Sequence, residues 1–237
     1  MDEAELKEMA SVEESHWWFA ERRNLLRKWV GDLSKDAKIL DVGAGNGSQS
    51  AMVMSEYGLN VISLEFSEYG IVQCKLKGLP TIQADLTDIP VESEQFEAII
   101  AMDVLEHIPD HNKAVQEIVR ILKPNGKVFI TVPAFQFLWS AHDERVSHQR
   151  RYSKKEIKEL VEKNGIEIQS IRFWNSILFP VACVTRLFFN KKSEIKLLNR
   201  TLNKSLLSIV RIERNSSILG KFPGTTLLIK GCKKNVQ

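Results

Sequence analysis

The sequence predicts an α/β fold: a seven-stranded, mostly parallel sheet with helices on both faces and a helical insert before the last strand. Three observations predict it. Apolar strand-like runs alternate with helical stretches, the signature of parallel strands joined by crossovers. The runs "AIIAM" and "VFITV" are continuously apolar, as strands buried on both faces must be. The first strand in the chain runs directly into a glycine turn, "ILDVGAGNGS".

The elements follow in order. The first thirty residues carry apolar side chains at roughly helical spacing and no proline, so one helical segment is expected there. Strands follow at "AKILDVGAG", "NVISLEF", "PTIQAD", "FEAIIAMDV" and "GKVFITVPA". Helices are expected over Ser48–Tyr57, Glu68–Lys77 and Asn112–Leu122, the last stopped by "KPNG". Beyond the fifth strand, "SAHDERVSHQRRYS" has no helical or strand period. "KKEIKELVEKNG" is an amphipathic helix, with Ser153 as its N-cap and Glu156 completing a capping box. "IEIQSIRFW" is a sixth strand and "GTTLLIKGCKK" a seventh. Between them, Asn175 to Pro223 holds the aromatic-rich run "FWNSILFPVACVTRLFF" and a basic amphipathic helix near "IKLLNRTLNKSLLSIVRI". The expected organisation is a single domain, 1–237: a helical lid (1–33), a cofactor-binding core (37–174), a helical insert or cap (175–223) and the last strand with its tail (224–237).

At 237 residues, 43% hydrophobic and 27% charged, the chain has the composition of an ordinary folded domain. Three scattered cysteines, Cys74, Cys183 and Cys232, form no disulfide framework or metal-ligand cluster. No metal is expected, and the cytoplasm is the expected compartment. The net charge of +3 hides an asymmetry. Residues 190–237 carry 11 Lys/Arg against 2 Asp/Glu, whereas the remainder carries 22 against 28. A basic segment on an acidic body suits an anionic neighbour, although a solvated helix face explains it as well.

Gly43, Gly45 and Gly47 stand at the carboxyl end of the first strand, where ligands bind in open α/β sheets. A dinucleotide fingerprint would place glycine at position 48, where Ser48 stands, which disfavours a nicotinamide dehydrogenase. Asp41 is ill suited to a pyrophosphate but suits a cationic amino-acid group. Glu65 ends the second strand and can accept both hydroxyls of a ribose. Asp85 follows the third strand and can accept from an adenine amino group. Ribose, adenine and an amino-acid end describe S-adenosylmethionine (SAM). Each acid alone is also explained as a cap, a turn residue or an exposed strand end.

With "LDVGAGNG", Glu65, "ADLTDIP", "FEAIIAMDVLEHIPD" and "LKPNGKVFITVP" in this order over residues 37–133, the chain resembles a class I SAM-dependent methyltransferase. The resemblance implies a Rossmann-like sheet with an antiparallel last strand. It assigns the methionyl end to Asp41, Gly43, Gly45 and Gly47, ribose to Glu65, and adenine to Asp85 and the Leu86 backbone. Met102 and Asp103 would lie beside the methionyl group. His107 is expected to pack behind the site.

Methyl transfer from a sulfonium is an in-line displacement that asks the protein mainly for alignment and desolvation. A base is needed only for a hydroxyl or protonated amine, and imidazole is the usual choice. His142 and His148 are the candidate bases. His16, Trp17, Arg150, Arg151 and Tyr152 are the candidate acceptor-binding residues, the arginines suiting phosphate or carboxylate. Trp18 is expected to pack on the core. "HWWF.ERR" with "LWSAHDERVSHQRRYS" resembles a methyltransferase subgroup associated with surface-polysaccharide and glycolipid pathways, which implies a small-molecule, sugar or lipid-linked acceptor. Alternatives are a quinone or polyprenyl-phenol O-methyltransferase and a non-catalytic SAM-binding regulator. A nucleic-acid substrate is not expected, because "MDVL" stands where an "NPPY"-type tetrapeptide would follow strand four. The insert is expected first as a cap over the pocket, with peripheral membrane contact through 174–214 and a homodimer interface as the competing roles.

Overall fold

A computed structural model describes residues 3–188, 198–216 and 218–235. The chain builds one seven-stranded sheet from β1 (Lys38–Val42), β2 (Asn60–Glu65), β3 (Thr81–Gln83), β4 (Phe96–Met102), β5 (Leu122–Pro133), β6 (Ile166–Trp174) and β7 (Thr226–Lys233). Their spatial order is β3-β2-β1-β4-β5-β7-β6. β7 runs antiparallel to both neighbours, and the pairs β1–β2, β2–β3, β1–β4 and β4–β5 are parallel. The chain steps outward from β1 to β3 and then returns to β4 on the other side of β1. That reversal opens a crevice at the carboxyl ends of β1 and β4.

The two faces are filled by alternate residues of the same strands, which is why the strands read as unbroken apolar runs. Ile99 and Ala101 of β4 join Leu40, Val42, Val128 and Ile130 beneath α5 (His111–Ile121) and α7 (Lys154–Lys163). Ala98, Ile100 and Met102 point the other way, against Leu26, Trp29 and Val53 of α2 (Trp17–Val30) and α3 (Ser48–Tyr57). Phe96 breaks the alternation because the β4–β5 register shifts between Phe96 and Ala98.

Three local expectations are corrected. The N-terminal segment forms two helices, α1 (Glu3–Glu13) and α2, instead of one. His16 adopts extended backbone and its ring Nδ1 accepts the Trp18 N–H at 3.3 Å, a local bond that competes with helix continuation. "KPNG" does stop α5, but its residues enter β5, with Asn125 taking a left-handed φ of 61° to make the bend. The stretch after β5 is partly helical. A 3₁₀ turn at Gln136–Leu138 leads to α6 (Ala141–Arg145), which has its own capping box of Ser140 and Asp143. The Ser153–Glu156 box opens α7 as expected, its two bonds being 2.7 and 3.1 Å.

The insert before β7 contributes α8 (Phe179–Phe188) and α9 (Arg200–Asn215), while α4 (Glu68–Leu76) completes the helices. Residues 189–197, including Phe189 and the start of the basic stretch, lie outside the described residues. α9 packs on α2 and buries Glu213, which accepts from the Ser176 and Ile177 amides at 2.8 and 3.2 Å. Among the described residues no helix is long and apolar enough to cross a membrane.

Candidate active site

One cavity of about 740 Å³ lies over the β1/β4 crevice. Its size is that of a site for a drug-sized ligand. The β1–α3 turn forms its floor. Gly43 has a φ of 68°, and a Cβ there would stand 2.5 Å from Val104 Cγ2. Gly45 also takes a positive φ, but a Cβ there would project into open space. The turn is therefore a backbone cradle that keeps cavity volume free. Glu65 forms the adjoining wall. Its Oε2 accepts the Gly45 N–H and its Oε1 the Ser67 N–H, both at 2.8 Å. The carboxylate thus braces the cradle while retaining lone pairs for a ligand. Gly70 lets α4 approach, since a Cβ would meet Glu65 Cγ and the Gly45 carbonyl at 2.6 Å. Asp85 stands at the opening, its Oδ1 accepting from the Thr87 amide and hydroxyl at 2.7 Å. Leu86, Met102 and Asp103 line the same cavity.

Two residues expected at the cofactor lie behind this wall. Gly47 caps α3 in a left-handed conformation and faces Cys74 and Leu79. Asp41 is buried, and its Oδ2 accepts the Ser50 hydroxyl at 2.6 Å, while Ser63 donates to Ser50 at 3.0 Å. Burial raises the Asp41 pKa to about 6, against the opposing Ser50 hydrogen bond and Arg22 charge. Because this folded value exceeds the ordinary one, the contribution is full below about pH 4 and is lost as pH rises through 6. Asp41→Asn should therefore flatten the fall in thermal stability between pH 4 and 7, by about 2–3 kcal/mol. Equal slopes for the two proteins in pH-dependent melting would refute it.

Arg22, which sequence reading passed over, organises the end of β4. Its guanidinium reaches the Met102 carbonyl at 3.1 Å and Asp103 Oδ2 at 2.9 Å, and lies 4.6 Å from the Trp18 ring. Asp103 takes a left-handed φ of 52°, and this pair holds it there. The signal was present: Arg22 follows Trp18 by one helical turn, the spacing that brings side chains together. From α1, Glu13 accepts from the Asn46 side chain, and from α6, Arg145 meets Glu8 at 3.2 Å. These contacts lay α1 across the cavity, which Leu6, Met9 and Ala10 help line.

The opposite wall is built on Asp143, wholly buried, which the sequence did not single out. It accepts from the Ser140 amide at 2.9 Å, Arg151 Nε at 2.8 Å, and Arg186 Nη1 at 3.0 Å. His148 Nδ1 lies 2.8 Å away. Burial alone would raise its pKa, but the His148 hydrogen bond and the Arg151 and Arg186 cations hold it well below the carboxylate range. His142 is pushed down to about 4, first by burial and then by the Arg186 charge, so it is neutral but weakly basic near pH 7. His107 falls to about 3, by burial and the His148 charge.

His16, Trp17, His142, His148 and Arg151 line the cavity, as does Trp18, which also packs 6.3 Å from Trp174. Arg151 does so with its guanidinium held by Asp143 and the Ala134 carbonyl. Arg150 and Tyr152 are elsewhere. Arg150 donates to the Ile108 and Pro109 carbonyls at 2.7 and 2.9 Å. Tyr152 is 2% exposed in the main core, its hydroxyl donating to the Leu105 carbonyl at 3.2 Å and meeting His111 Nδ1 at 2.9 Å. Burial and then Glu106 push its phenol upward, so it stays neutral. His107, expected behind the site, lines the cavity instead.

A doubly wound sheet with a glycine cradle, a ribose-type acid on β2 and a second acid after β3 defines a nucleotide-cofactor domain. Residues 40–130 match the methyltransferase domain family. The ubiquinone biosynthesis O-methyltransferase of Bordetella avium is 29% identical over 149 residues, 55% of this chain and 61% of that protein. A tRNA (carboxymethyluridine(34)-5-O)-methyltransferase of Arabidopsis thaliana is 34% identical over 122 residues, 50% of this chain but 28% of that protein. The chain thus spans less than two thirds of the length of these relatives. A methyltransferase solved in complex with the Trm112 methyltransferase activator of Haloferax volcanii shares the fold with a TM-score of 0.67 and 18% identity, over 99% of this chain and 96% of that one. Residues 40–130 carry a methyltransferase domain, the fold around them is that of class I SAM-dependent methyltransferases, and SAM is the cofactor of that family.

Proposed function

We propose that the chain transfers a methyl group from SAM to an oxygen or nitrogen atom of a small-molecule, sugar or lipid-linked acceptor. The observation that carries this reading is the continuity of one cavity. It joins Gly43, Gly45, Glu65 and Asp85 to His16, Trp17, His142 and His148 without a dividing wall. When bound, SAM supplies an activated methyl on a sulfonium, so the remaining task is to hold and desolvate an acceptor. Gly43 and Gly45 give the backbone cradle, Glu65 accepts the ribose hydroxyls, and Asp85 faces the adenine end. Arg22 sets Asp103, and the aromatic rings of Trp17 and Trp18 exclude water. His148, oriented by Asp143, is the better base of the two histidines, since the depressed His142 pKa makes it a weak proton acceptor.

A phenolic quinone precursor is the second reading, favoured by the likeness to ubiquinone O-methyltransferases and by one surface. Along α8, Val181, Val184 and Phe188 are 60%, 50% and 77% exposed on one side. Ala182 and Arg186 line the cavity from the other. An exposed apolar stripe, followed in sequence by the basic α9, suits peripheral contact with an anionic bilayer while α8 caps the acceptor pocket.

Incubating the protein with methyl-labelled SAM and separate lipid, soluble and RNA fractions tests these readings together. Label in a lipid or soluble product supports acceptor methylation, and label in a lipid phenol favours the second reading. Label confined to RNA overturns both. No transfer with SAM binding intact leaves a non-catalytic binder.

A further inference from the structure

Glu106 has no part in the reaction described above, yet its surroundings are unusual. It is wholly buried, and neither carboxylate oxygen has a hydrogen-bond partner among the described residues. A carboxylate so placed is costly unless a positive group compensates it. Burial and then the Asp103 charge hold its pKa well above the usual range.

Two imidazoles converge on it. One oxygen of Glu106 and one ring nitrogen each of His107 and His148 lie within 4.8 Å of one another. The His148 ring is positioned from behind. His148 Nδ1 is bound to Asp143 Oδ1, which leaves Nε2 facing Glu106 Oε1 at 3.8 Å. The His107 ring meets the His148 ring edge-on, centroids 4.7 Å apart, and its Nδ1 has no partner among the described residues. A carboxylate behind a histidine, fixing its tautomer, is the arrangement that supports metal-ligating imidazoles. Of the nearby cations, Arg22 is paired with Asp103, and Arg151 shares the Asp143 carboxylate with Arg186; neither donates to Glu106.

We propose that Glu106, His107 and His148 form a divalent transition-metal site, of the zinc type, on the wall of the acceptor cavity. Two imidazole nitrogens and one carboxylate suit Zn²⁺ better than Mg²⁺ or Ca²⁺, which take mainly oxygen. Ligands at about 2.1 Å around a tetrahedral ion stand about 3.4 Å apart, so the observed His148–Glu106 separation needs a shift of only a few tenths of an ångström. Three protein ligands leave a fourth position, and all three residues line the cavity. An acceptor oxygen can take that position, where the ion would lower its pKa; with the ion bound, His148 Nε2 serves as a ligand and the base role given to it above is not used. Such use rests on the methyl-transfer reading; occupancy by the ion does not.

The test is a titration of Zn²⁺ into chelator-treated, dialysed protein, with Co²⁺ absorption reporting the coordination number. One ion per chain is expected, with a four- or five-coordinate Co²⁺ spectrum. Glu106→Gln and His107→Gln should each weaken binding at least 100-fold while circular dichroism remains unchanged. Absence of binding to the wild type, or equal affinity in a folded variant, would overturn the site. SAM binding is measured on the same preparations. Its loss with zinc binding retained would count against the methyl-transfer reading alone.

Discussion

Replacing Asp143 with alanine is expected to destabilise the fold by about 3–5 kcal/mol, the usual cost of removing one partner of a buried ion pair. Its carboxylate is wholly buried and meets Arg151, with a side chain 3% exposed, at 2.7 Å and Arg186 at 3.0 Å. Truncation strands two cations with no other carboxylate in bonding distance among the described residues. It also removes the acceptor for the Ser140 amide and the anchor of His148. Denaturant melts should show a lowered midpoint. The double variant Asp143→Leu, Arg151→Met should recover much of the loss, because removing both charges of a buried pair costs far less than removing one. A single variant within 1 kcal/mol of wild type would contradict the role assigned to Asp143.

Glu65→Ala is expected to weaken SAM binding on the order of 100-fold, about 2.7 kcal/mol. The residue does two things at once. It would accept the ribose hydroxyls, each charge-assisted bond being worth about 1.5–3 kcal/mol, and it ties the Gly45 and Ser67 amides to one point. Glu65→Gln separates these roles, since an amide has one acceptor oxygen where the carboxylate has two. Calorimetry with SAM or its demethylated product reads both variants. Unchanged affinity in Glu65→Ala would remove Glu65 from the site.

The sheet was legible because its physics is local. β4 and β5 read as buried strands from their unbroken apolar runs, and β6 was legible from "IEIQSIRFW" without any tertiary information. That Gly43, Gly45, Glu65 and Asp85 would meet at one cavity was legible, because a glycine turn and two strand-end acids sit close to their strands in sequence. Asp41 and Gly47 belong to the same motif but face inward, and a spacing cannot reveal which way a side chain turns. The opposite wall of the cavity was less legible because it is assembled from residues remote in sequence. Asp143 gathers Arg151 and Arg186 from 8 and 43 positions away, and Arg22 reaches Asp103 across 81. Arg150 and Tyr152 stand beside Arg151 in sequence, but the bridge between Ala134 and Tyr152 fixes the backbone so that Tyr152 enters the core. His16 was read as facing the site, yet its cap on α2 also decides where the N-terminal segment bends.

The position of β7 carries a consequence for how the protein is made. The strand formed last in sequence lies between β5 and β6, in the interior of the sheet. A ribosome releases β5 long before Thr226, so during synthesis β5 has a bare apolar edge with unpaired amides, and β6 has no neighbour at all. The half built on β1, β2 and β3 can assemble early, while the half built on β5 and β6 must wait for a closing strand. A chain ending before Thr226 should therefore protect β1 and β2 amides in hydrogen exchange, leave β6 unprotected, and aggregate through the open edge of β5. Uniform protection across β1 to β6 in that truncated chain would show that closure does not depend on the last strand.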